Sequence, residues 1–356
     1  MSITLSITVT PWNFPLAMAA NKLFPAVVTG NCIVLKPSPY TPLSTVMMSE
    51  IAAVAFPPGV MNILSGSDAL GKMMVEHPDI AQISFTGSTR TGKNIIKSGA
   101  DTVKKVTLEM GGNDPAIVLP DADVEQVAPQ VFQKAMFNTG QVCIAVKRLF
   151  VHEDSYDAMV VALQKEAAAA TAQTNDGLAK GTMFGPMNNK MQLERIEMLV
   201  ADAKAKGGKI VAGGERFAPN GEAGGYFYKP TIVSDVAEGV KIVDEEQFGP
   251  VLPVIKYKTV DEAIARANDS EYGLGSSVWT ADPEGEGVRV ANQIEAGMTW
   301  VNDHLVLHPS APFGGIKQSG VGREGGGAIG LKEFVEMKSV KVTKVSYGAK
   351  LRTMSR

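Results

Sequence analysis

The stretch of sequence that decides the fold is QISFTGSTRTG, residues 82–92. A short apolar run rich in β-forming residues leads into a turn at Gly87, and a helical pattern follows near residues 91–97. A strand, a glycine turn and a helix in this order present backbone N–H groups and a helix amino terminus, which suit a pyrophosphate. The spacing GSTxxG differs from the usual dinucleotide fingerprint GxGxxG, so a search by spacing alone would miss it.

The same alternation extends to both sides of this stretch. Short strand-like runs alternate with helical runs over the first hundred residues, which predicts right-handed βαβ units and a parallel sheet. Ligands bind beyond the carboxyl ends of the strands in such sheets. The predicted strands are residues 3–9, 32–35, 61–64, 82–85 and 104–108, and the predicted helices are residues 16–28, 43–55, a short helix from 69, and 91–97.

A second α/β unit is predicted from about residue 111. A helical stripe over residues 124–136 leads toward Cys143, a strand is expected at residues 148–151, and the alternation resumes from Val251. The predicted fold class is therefore α/β, with a Rossmann-like parallel-sheet domain and a second α/β domain.

Composition and charge exclude several classes of protein. The chain has 356 residues, and its net charge of -3, without a basic stripe, argues against nucleic-acid binding and against a membrane surface. It contains no uninterrupted apolar run of about 18 residues, which argues against a membrane-spanning helix. With only two cysteines we expect a reduced, cytoplasmic protein. His304 and His308 are followed by a proline and have no acidic or thiol companion, so we expect no metal site.

One cysteine and one glutamate stand in glycine-bearing turns. Cys143 ends the run FNTGQVC (residues 137–143), and Glu109 lies in LEMGG (residues 108–112). A thiol nucleophile and a separate base are the minimum parts for covalent catalysis through sulfur. The alternatives are a packed core cysteine and a surface carboxylate, and the two runs do not decide between them.

Together with three other runs, these two resemble the NAD(P)-dependent aldehyde dehydrogenase superfamily. The other runs are PWNFP (residues 11–15), EEQFGPV (residues 245–251) and PFGGIKQSGVGRE (residues 312–324). The resemblance covers residues 11 to about 344. It implies an aldehyde dehydrogenase-like fold. It also implies the oxidation of an aldehyde to a carboxylic acid, with water as co-substrate and NAD or NADP as cofactor.

The resemblance also assigns catalytic roles. Cys143 is expected to attack the aldehyde carbon and form a thiohemiacetal, which becomes a thioester after a hydride leaves. Asn13 and the backbone N–H of Cys143 are expected to stabilise the oxyanion. Glu109 is expected to activate the water that hydrolyses the thioester.

Seven residues are expected to contact the cofactor, again by resemblance. Ser88 and Gly87 would hold the pyrophosphate, and Gly66 would lie near the adenine. Lys36 would contact the adenosine ribose; the position three residues later is Pro39, not an acid that would repel a 2′-phosphate, so NADP is expected to be tolerated or preferred. Glu246, Phe248 and Trp12 would lie on the nicotinamide side.

The substrate is expected to be an apolar or aromatic aldehyde. Phe137 stands six residues before Cys143, where succinate-semialdehyde members carry an arginine for the distal carboxylate. Phe137, Val142 and Ile144 are therefore predicted to contact the aldehyde.

Typical members of the superfamily have a long segment before PWNFP, so this chain is expected to be truncated at its amino terminus. Homo-oligomerisation, as a dimer or tetramer, is expected if the missing segment is supplied, and apolar helix faces would be exposed without it. The predicted division is a NAD(P)-binding domain at residues 1–110, a catalytic domain at 111–318, a return to the cofactor domain at 319–337, an oligomerisation strand at 338–346 and a tail at 347–356.

Two other functions remain open from the sequence. The chain could be a non-catalytic homologue that binds nucleotide or assembles with full-length subunits. It could also be a thiol esterase, because the same thiol and base can hydrolyse activated esters without a cofactor.

Overall fold

The computed structural model describes residues 5–219, 221 and 224–344, and its first sheet is built by the amino-terminal part of the chain. The predicted alternation of strands and helices is confirmed there for the described residues. Its parallel strands are β1 (Leu5–Val9), β2 (Cys32–Lys36), β3 (Met61–Ile63), β4 (Gln82–Thr86) and β5 (Lys105–Glu109). The connecting helices are α1 (Pro15–Val28), α2 (Leu43–Ala55), α3 (Asp68–Glu76) and α4 (Thr89–Gly99).

The order of these strands creates a crevice. They lie as β5-β4-β1-β2-β3, so the chain runs outward from β1 to β3 and then crosses back to β4. The register places Val9 beside Phe85 and Thr86 beside Glu109. A crevice opens outside the carboxyl ends of strands at the position where the strand order reverses. The residues that follow β1, β4 and β5 therefore meet at one edge of the sheet.

The second sheet is formed by the middle of the chain. Its strands lie in the order β12-β11-β6-β7-β10-β9-β8, and all pairs are parallel except β8 with β9. They are β6 (Pro115–Val118), β7 (Arg148–His152), β8 (Lys209–Ala212), β9 (Thr231–Ser234), β10 (Val251–Tyr257), β11 (Gly275–Trp279) and β12 (Met298–Val301). The helices are α5 (Val124–Met136), α6 (Glu153–Ala172), α7 (Lys190–Ala205), α8 (Lys241–Asp244), α9 (Val260–Asn268) and α10 (Val288–Ala291).

Strand β6 shows how this sheet is buried on both faces. Successive side chains of a strand point to opposite faces. Ile117 packs in one apolar cluster with α7 and α9, whereas Ala116 and Val118 pack in another with α5 and α6. Helices thus cover both faces, which explains why the strand is apolar throughout.

The last described part of the chain returns to the first sheet. It contains β13 (Pro312–Phe313), β14 (Gly320–Val321), β15 (Glu324–Gly325) and α11 (Ala328–Lys332). β14 pairs with the end of β5 in antiparallel orientation, with Gly320 opposite Glu109, so the first sheet is mixed. β13 and β15 form a separate two-stranded ribbon. Short turns of 3₁₀ or π type lie at Ala100–Thr102, Phe137–Gly140, Pro283–Gly287 and Lys317–Ser319.

The predicted oligomerisation strand is not found in the residues that are described. Residues 339–344 are in no strand, because no neighbouring segment offers them backbone hydrogen bonds. Residues 345 and 346 of that prediction, and the predicted tail at 347–356, lie outside the described residues. The division of the chain into domains stays a prediction.

Helices α1 and α2 carry exposed apolar side chains. Leu43, Met47, Ile51 and Val54 of α2 have exposed fractions of 78%, 64%, 69% and 92%. Val28 at the end of α1 is 75% exposed. These residues form an apolar face that the described residues leave uncovered.

Residues 5–344, outside the gaps at 220 and 222–223, contain neither a candidate membrane span nor a candidate metal-binding group. None of the helices there is both long and apolar enough to cross a bilayer. No group of three or more histidine, cysteine, aspartate or glutamate residues is arranged to hold a metal ion.

Candidate active site

A cavity of about 410 Å³ opens where the first sheet meets the turns of the second. It brings together the three predicted catalytic residues and five of the seven predicted cofactor residues. These are Asn13, Glu109 and Cys143, with Trp12, Gly87, Ser88, Glu246 and Phe248. The predicted residues that do not line it are Lys36, Gly66, Phe137, Val142 and Ile144.

The turn before Cys143 is tightly constrained. Asn138 and Thr139 have positive φ values of 49° and 57°, a conformation that residues other than glycine rarely adopt. Gly140 also has a positive φ of 70°, and a Cβ at this position would collide with the carbonyl oxygen of Gly249. These three residues reverse the chain after α5 and bring Cys143 to the cavity.

The thiol of Cys143 is only partly exposed, and its surroundings favour the protonated form. Burial, and then the charge of Glu109, raise the pKa of the Cys143 thiol well above its usual value. The thiol therefore needs a base in order to become a nucleophile.

Glu109 is the last residue of β5 and is 2% exposed. Burial raises the pKa of its carboxyl group to about 8, while the neighbouring Cys143 thiol opposes the rise. Glu109 lies close enough to interact with that thiol, but neither of its oxygens has a hydrogen bond of good geometry within the described part of the chain. An unpaired buried carboxyl group with a pKa near neutrality is suited to proton transfer.

Asn13 is held against the nucleophile turn. Its Nδ2 donates to the carbonyl oxygen of Gln141 at 3.0 Å, and Nδ2 of Asn138 donates to the carbonyl oxygen of Asn13 at 3.3 Å. A side-chain amide has two N–H groups, and the bond to Gln141 uses one of them. The other N–H is the group that could stabilise an oxyanion.

Glu246 lies next to the double glycine that follows Glu109. Its Oε1 accepts from the backbone N–H of Gly112 at 3.2 Å, and a Cβ at Gly111 would collide with its Oε2. Burial raises the pKa of Glu246 to about 7, opposed mainly by the charge of Lys147. Gly111 is therefore needed for the close approach of this carboxyl group, whereas a Cβ at Gly112 would collide with the carbonyl oxygen of Cys143.

Two aromatic rings lie beside Glu246. Trp12 and Phe248 are in edge-to-face contact with ring centroids 5.4 Å apart. Phe248 has a positive φ of 57°, so its backbone conformation is also an unusual one for a bulky residue.

The predicted phosphate turn has the expected local structure. Ser88 is the N-cap of α4, and its Oγ accepts from the backbone N–H of Thr91 at 3.3 Å. A Cβ at Gly87 would lie 2.6 Å from the ring of Phe85, so a larger residue here would require that ring to move. The first turn of α4 thus opens into the cavity, where its free N–H groups favour an anion.

Lys36 and Gly66 lie away from the cavity lining. The side chain of Lys36 is 2% exposed, and its Nζ donates to the carbonyl oxygen of Pro37 at 3.3 Å. Burial lowers the pKa of Lys36, and the charge of Asp68 opposes this. Asp68 is therefore an acidic neighbour of Lys36 that the sequence did not identify.

The three residues that were predicted to contact the aldehyde lie outside the cavity lining, and their role in substrate binding stays a prediction. Val142 and Ile144 are 3% and 5% exposed, because they point away from the cavity into an apolar cluster with Ala145 and Leu274. Phe137 is exposed and stacks with Phe14 at a centroid distance of 6.3 Å. The partly buried residues that pack against the cluster and were not predicted are Phe14, Met298, Trp300, Leu305 and Phe313.

The sequence reasoning also missed four polar residues near the site. Gln192 and Arg195 of α7 line the cavity, and their i, i+3 spacing on one helix face was the available signal.

Lys22 of α1 is buried, forms an ion pair with Glu324 and donates to Oγ of Ser84 at 3.1 Å. The charge of Glu324 raises the pKa of Glu109, and the charge of Lys22 lowers it. Because α1 and β15 are far apart in the chain, no local pattern predicts this pair.

Comparison with known proteins agrees with this arrangement. Residues 3–340 match the aldehyde dehydrogenase family. The chain is 44% identical over 334 residues to the putative aldehyde dehydrogenase FUS7 of Gibberella fujikuroi, an alignment that covers 94% of this chain and 69% of that protein.

Solved structures give the same result. The NAD⁺ complex of aldehyde dehydrogenase from Bacillus cereus has a TM-score of 0.91 and 43% identity, covering 95% of this chain and 68% of that one. Aldehyde dehydrogenase C from Pseudomonas syringae, in complex with NAD⁺ and octanal, has a TM-score of 0.90 and 38% identity, covering 94% and 68%. The chain therefore spans about two thirds of the length of these relatives, and it belongs to the aldehyde dehydrogenase family, oxidoreductases that use NAD⁺ or NADP⁺.

Proposed function

We propose that this chain oxidises an apolar or aromatic aldehyde to the carboxylic acid with NAD(P)⁺, through a thioester on Cys143. The observation that carries the proposal is the convergence of Cys143, Glu109 and Asn13, from three distant parts of the chain, on one cavity. The cavity also contains the anion-binding turn at Ser88 and the carboxyl group of Glu246. A core cysteine or a surface carboxylate would have no reason to share this cavity.

The residues that line the cavity fit a dinucleotide. The first turn of α4 with Ser88 would hold the pyrophosphate, and the carboxyl group of Glu246 would accept hydrogen bonds from ribose hydroxyls. Trp12 and Phe248 provide an apolar surface for a flat ring. When bound, NAD(P)⁺ supplies the acceptor for the hydride that leaves the aldehyde carbon.

The chemistry of the protein begins with a proton transfer. Glu109 in its ionised form takes the proton of the Cys143 thiol, and the resulting thiolate forms a carbon–sulfur bond to the aldehyde carbon. The carbonyl π electrons move to oxygen, where the free N–H of Asn13 and the backbone N–H of Cys143 stabilise the negative charge. Loss of the hydride then leaves an acyl thioester on Cys143.

The second half of the reaction needs water and the same base. Glu109 first releases the thiol proton to solvent, and in its ionised form it then removes a proton from a water molecule, whose oxygen attacks the acyl carbon. The carbon–sulfur bond breaks, the carboxylic acid leaves and the sulfur is restored. One carboxyl group with a pKa near 8 can serve both steps, because it gains and loses a proton easily near neutral pH.

The substrate proposal rests on apolar residues around the thiol. Phe137 and Phe14 present stacked rings next to the nucleophile turn, and Leu305 and Phe313 pack nearby. No arginine stands at position 137 to pair with a distal carboxylate. The octanal complex of the Pseudomonas syringae relative supports a preference for an apolar chain.

The exposed apolar face of α1 and α2 favours a second candidate function. A surface of this kind is typical of a protein that binds another subunit. The chain would then be a non-catalytic homologue that binds nucleotide or assembles with longer subunits, or a homo-oligomer completed by additional residues. This candidate would be favoured if the purified chain formed no NAD(P)H by itself but became active when a longer homologue was added.

The two cysteines give a direct test of the proposed function. We expect Cys143→Ser to abolish NAD(P)H formation, because serine is a much weaker nucleophile at neutral pH. Cys32→Ser is the matched control, since Cys32 starts β2 and does not line the cavity. Its kcat should stay within about twofold of the original chain. A Cys143→Ser protein with normal melting temperature and normal turnover would disprove the mechanism.

The pKa of Glu109 predicts the pH dependence. The ionised carboxylate is the base, and its pKa is about 8, so kcat/KM should rise with pH and reach half its maximum near pH 8. Glu109→Gln should lower kcat by about 10²- to 10⁴-fold and should also slow the release of the first equivalent of NAD(P)H, because the thiol and the hydrolytic water both lose their base. Rapid-mixing kinetics across the pH range measure both effects. An unchanged profile in the Gln variant would exclude Glu109 as the base.

Substrate preference can be measured with three aldehydes. Hexanal and benzaldehyde should give a higher kcat/KM than succinate semialdehyde, because the residues near the thiol are apolar. Phe137→Arg should raise the relative kcat/KM for succinate semialdehyde by about tenfold, since the guanidinium group can pair with the distal carboxylate. Equal or better use of the semialdehyde by the original chain would contradict the proposal.

Cofactor preference depends on Lys36 and Asp68. We expect NADP⁺ to be accepted with a kcat/KM no more than about tenfold below that for NAD⁺, a difference of ~1.4 kcal/mol. Asp68→Asn should shift the ratio of the two kcat/KM values toward NADP⁺. The Asp68 carboxylate would then no longer compete with a 2′-phosphate for the Lys36 ammonium group. A preference for NAD⁺ above tenfold would contradict the expected acceptance of NADP⁺. An unchanged kcat/KM ratio in Asp68→Asn would exclude Asp68 as a determinant of cofactor preference.

A further inference from the structure

Lys147 is a buried charge close to the nucleophile that the mechanism above does not use. It lies in the turn between Cys143 and β7, and its exposed fraction is 1%. Burying an ammonium group is costly unless the protein provides compensating contacts. Such a residue therefore calls for a physical explanation.

The ammonium group contacts two neighbouring segments, the turn before Cys143 and the segment with Phe248, which lines the cavity. Its Nζ donates to the carbonyl oxygen of Gly140 at 2.6 Å, in the turn that precedes Cys143. The same Nζ lies 5.3 Å from the ring centroid of Phe248, within the range of a cation–π contact. The backbone of Lys147 adds a third link, because its carbonyl oxygen accepts from Nε2 of Gln247 at 3.3 Å.

Both joined segments have unusual backbone conformations. Asn138 and Thr139 beside Gly140, and Phe248 in the other segment, are all residues other than glycine with positive φ. Such conformations persist only when surrounding contacts hold them. The Lys147 ammonium contacts both segments next to these residues.

The charges around Lys147 are mostly negative. Burial lowers its pKa, whereas the carboxyl groups of Glu246 and Asp114 and the sulfur of Cys143 oppose this. Glu246 and Cys143 both line the cavity. A positive charge at this position therefore favours the ionised forms of the groups that bind and react there.

We propose that Lys147 is a positioning residue, whose buried ammonium group holds the nucleophile turn and the Phe248 ring at a fixed separation for hydride transfer. This proposal rests on the proposed function. Only aldehyde oxidation requires a fixed distance between the carbon bound to Cys143 and a cofactor ring beside Phe248. Hydride transfer depends steeply on the distance between donor and acceptor. A residue that links the two segments can therefore control the rate without touching the substrate.

Three variants separate positioning from simple stability. Lys147→Met keeps the length of the side chain and removes its charge, and Lys147→Arg keeps the charge. Lys104→Met is the matched control, because Lys104 is also buried and its Nζ bonds the carbonyl oxygens of His77 and Ile80, both at 2.7 Å, away from the cavity. The 356-residue chain is used in each case, and its melting temperature is recorded.

The expected result is a selective loss of chemistry. Lys147→Met should lower kcat by about tenfold or more, where kcat is calculated per molecule with a reactive Cys143 thiol. The kinetic isotope effect with an aldehyde deuterated at its carbonyl carbon should be larger than in the original chain. Lys147→Arg should recover part of this loss. Lys104→Met should lower the melting temperature and leave kcat and the isotope effect unchanged.

Two outcomes would overturn the proposal. One is a folded Lys147→Met chain with the kcat and isotope effect of the original. The other is a Lys147→Met chain that fails to fold while Lys104→Met folds, which would make the role of Lys147 purely structural.

Alkylation keeps the two proposals distinguishable. If the original chain forms no NAD(P)H, the proposed function fails, and the rate of iodoacetamide labelling at Cys143 decides the role of Lys147. Loss of the ammonium should slow this labelling by about tenfold, because a nearby cation favours the thiolate. Labelling at Cys32 should stay the same. Equal labelling rates at Cys143 would overturn the proposal by themselves.

Discussion

The shared edge of the first sheet is the constraint on which this site depends. Parallel strands end on the same side, and the order β5-β4-β1-β2-β3 reverses between β1 and β4. The segments after β1 and β4 provide Asn13 and Ser88, and the last residue of β5 is Glu109. The second sheet then needs to contribute only the turn with Cys143 and the segment with Glu246. Site chemistry is thus assembled from loop residues that a rigid sheet holds in register.

Burial gives these residues their electrostatic character. Glu109, Asp114 and Glu246 have pKa values raised to about 8, 8 and 7, in each case mainly by desolvation. In water the same groups would be ionised at neutral pH and poor proton acceptors. Lys22 and Lys147 bring positive charge into this otherwise acidic interior, although neither could be recognised as part of the site from its local sequence. The protein therefore tunes its base mainly by excluding solvent, and the buried charges adjust the resulting pKa.

The sequence predicted what depends on local pattern and missed what depends on distant contacts. Strand and helix positions in residues 5–109 follow from apolar periodicity, and the structure agrees with them. Glycine turns indicated Glu109 and Cys143 as candidates, and the family resemblance added Ser88; all three line the cavity. The neighbours of Cys143 were assigned to the substrate because they are adjacent in sequence, but Val142 and Ile144 pack into the core. Leu305, Lys147 and the pair Lys22–Glu324 act through contacts that form only when the chain has folded.

The pairing of β14 with β5 has a consequence for synthesis of the protein. Gly320 and Val321 complete the strand that ends in Glu109, although they follow it by more than two hundred residues in the chain. A nascent polypeptide on the ribosome can form βαβ units from its first hundred residues long before this last strand has emerged. The backbone of the base consequently gains its last strand partner only after residue 321 has been made.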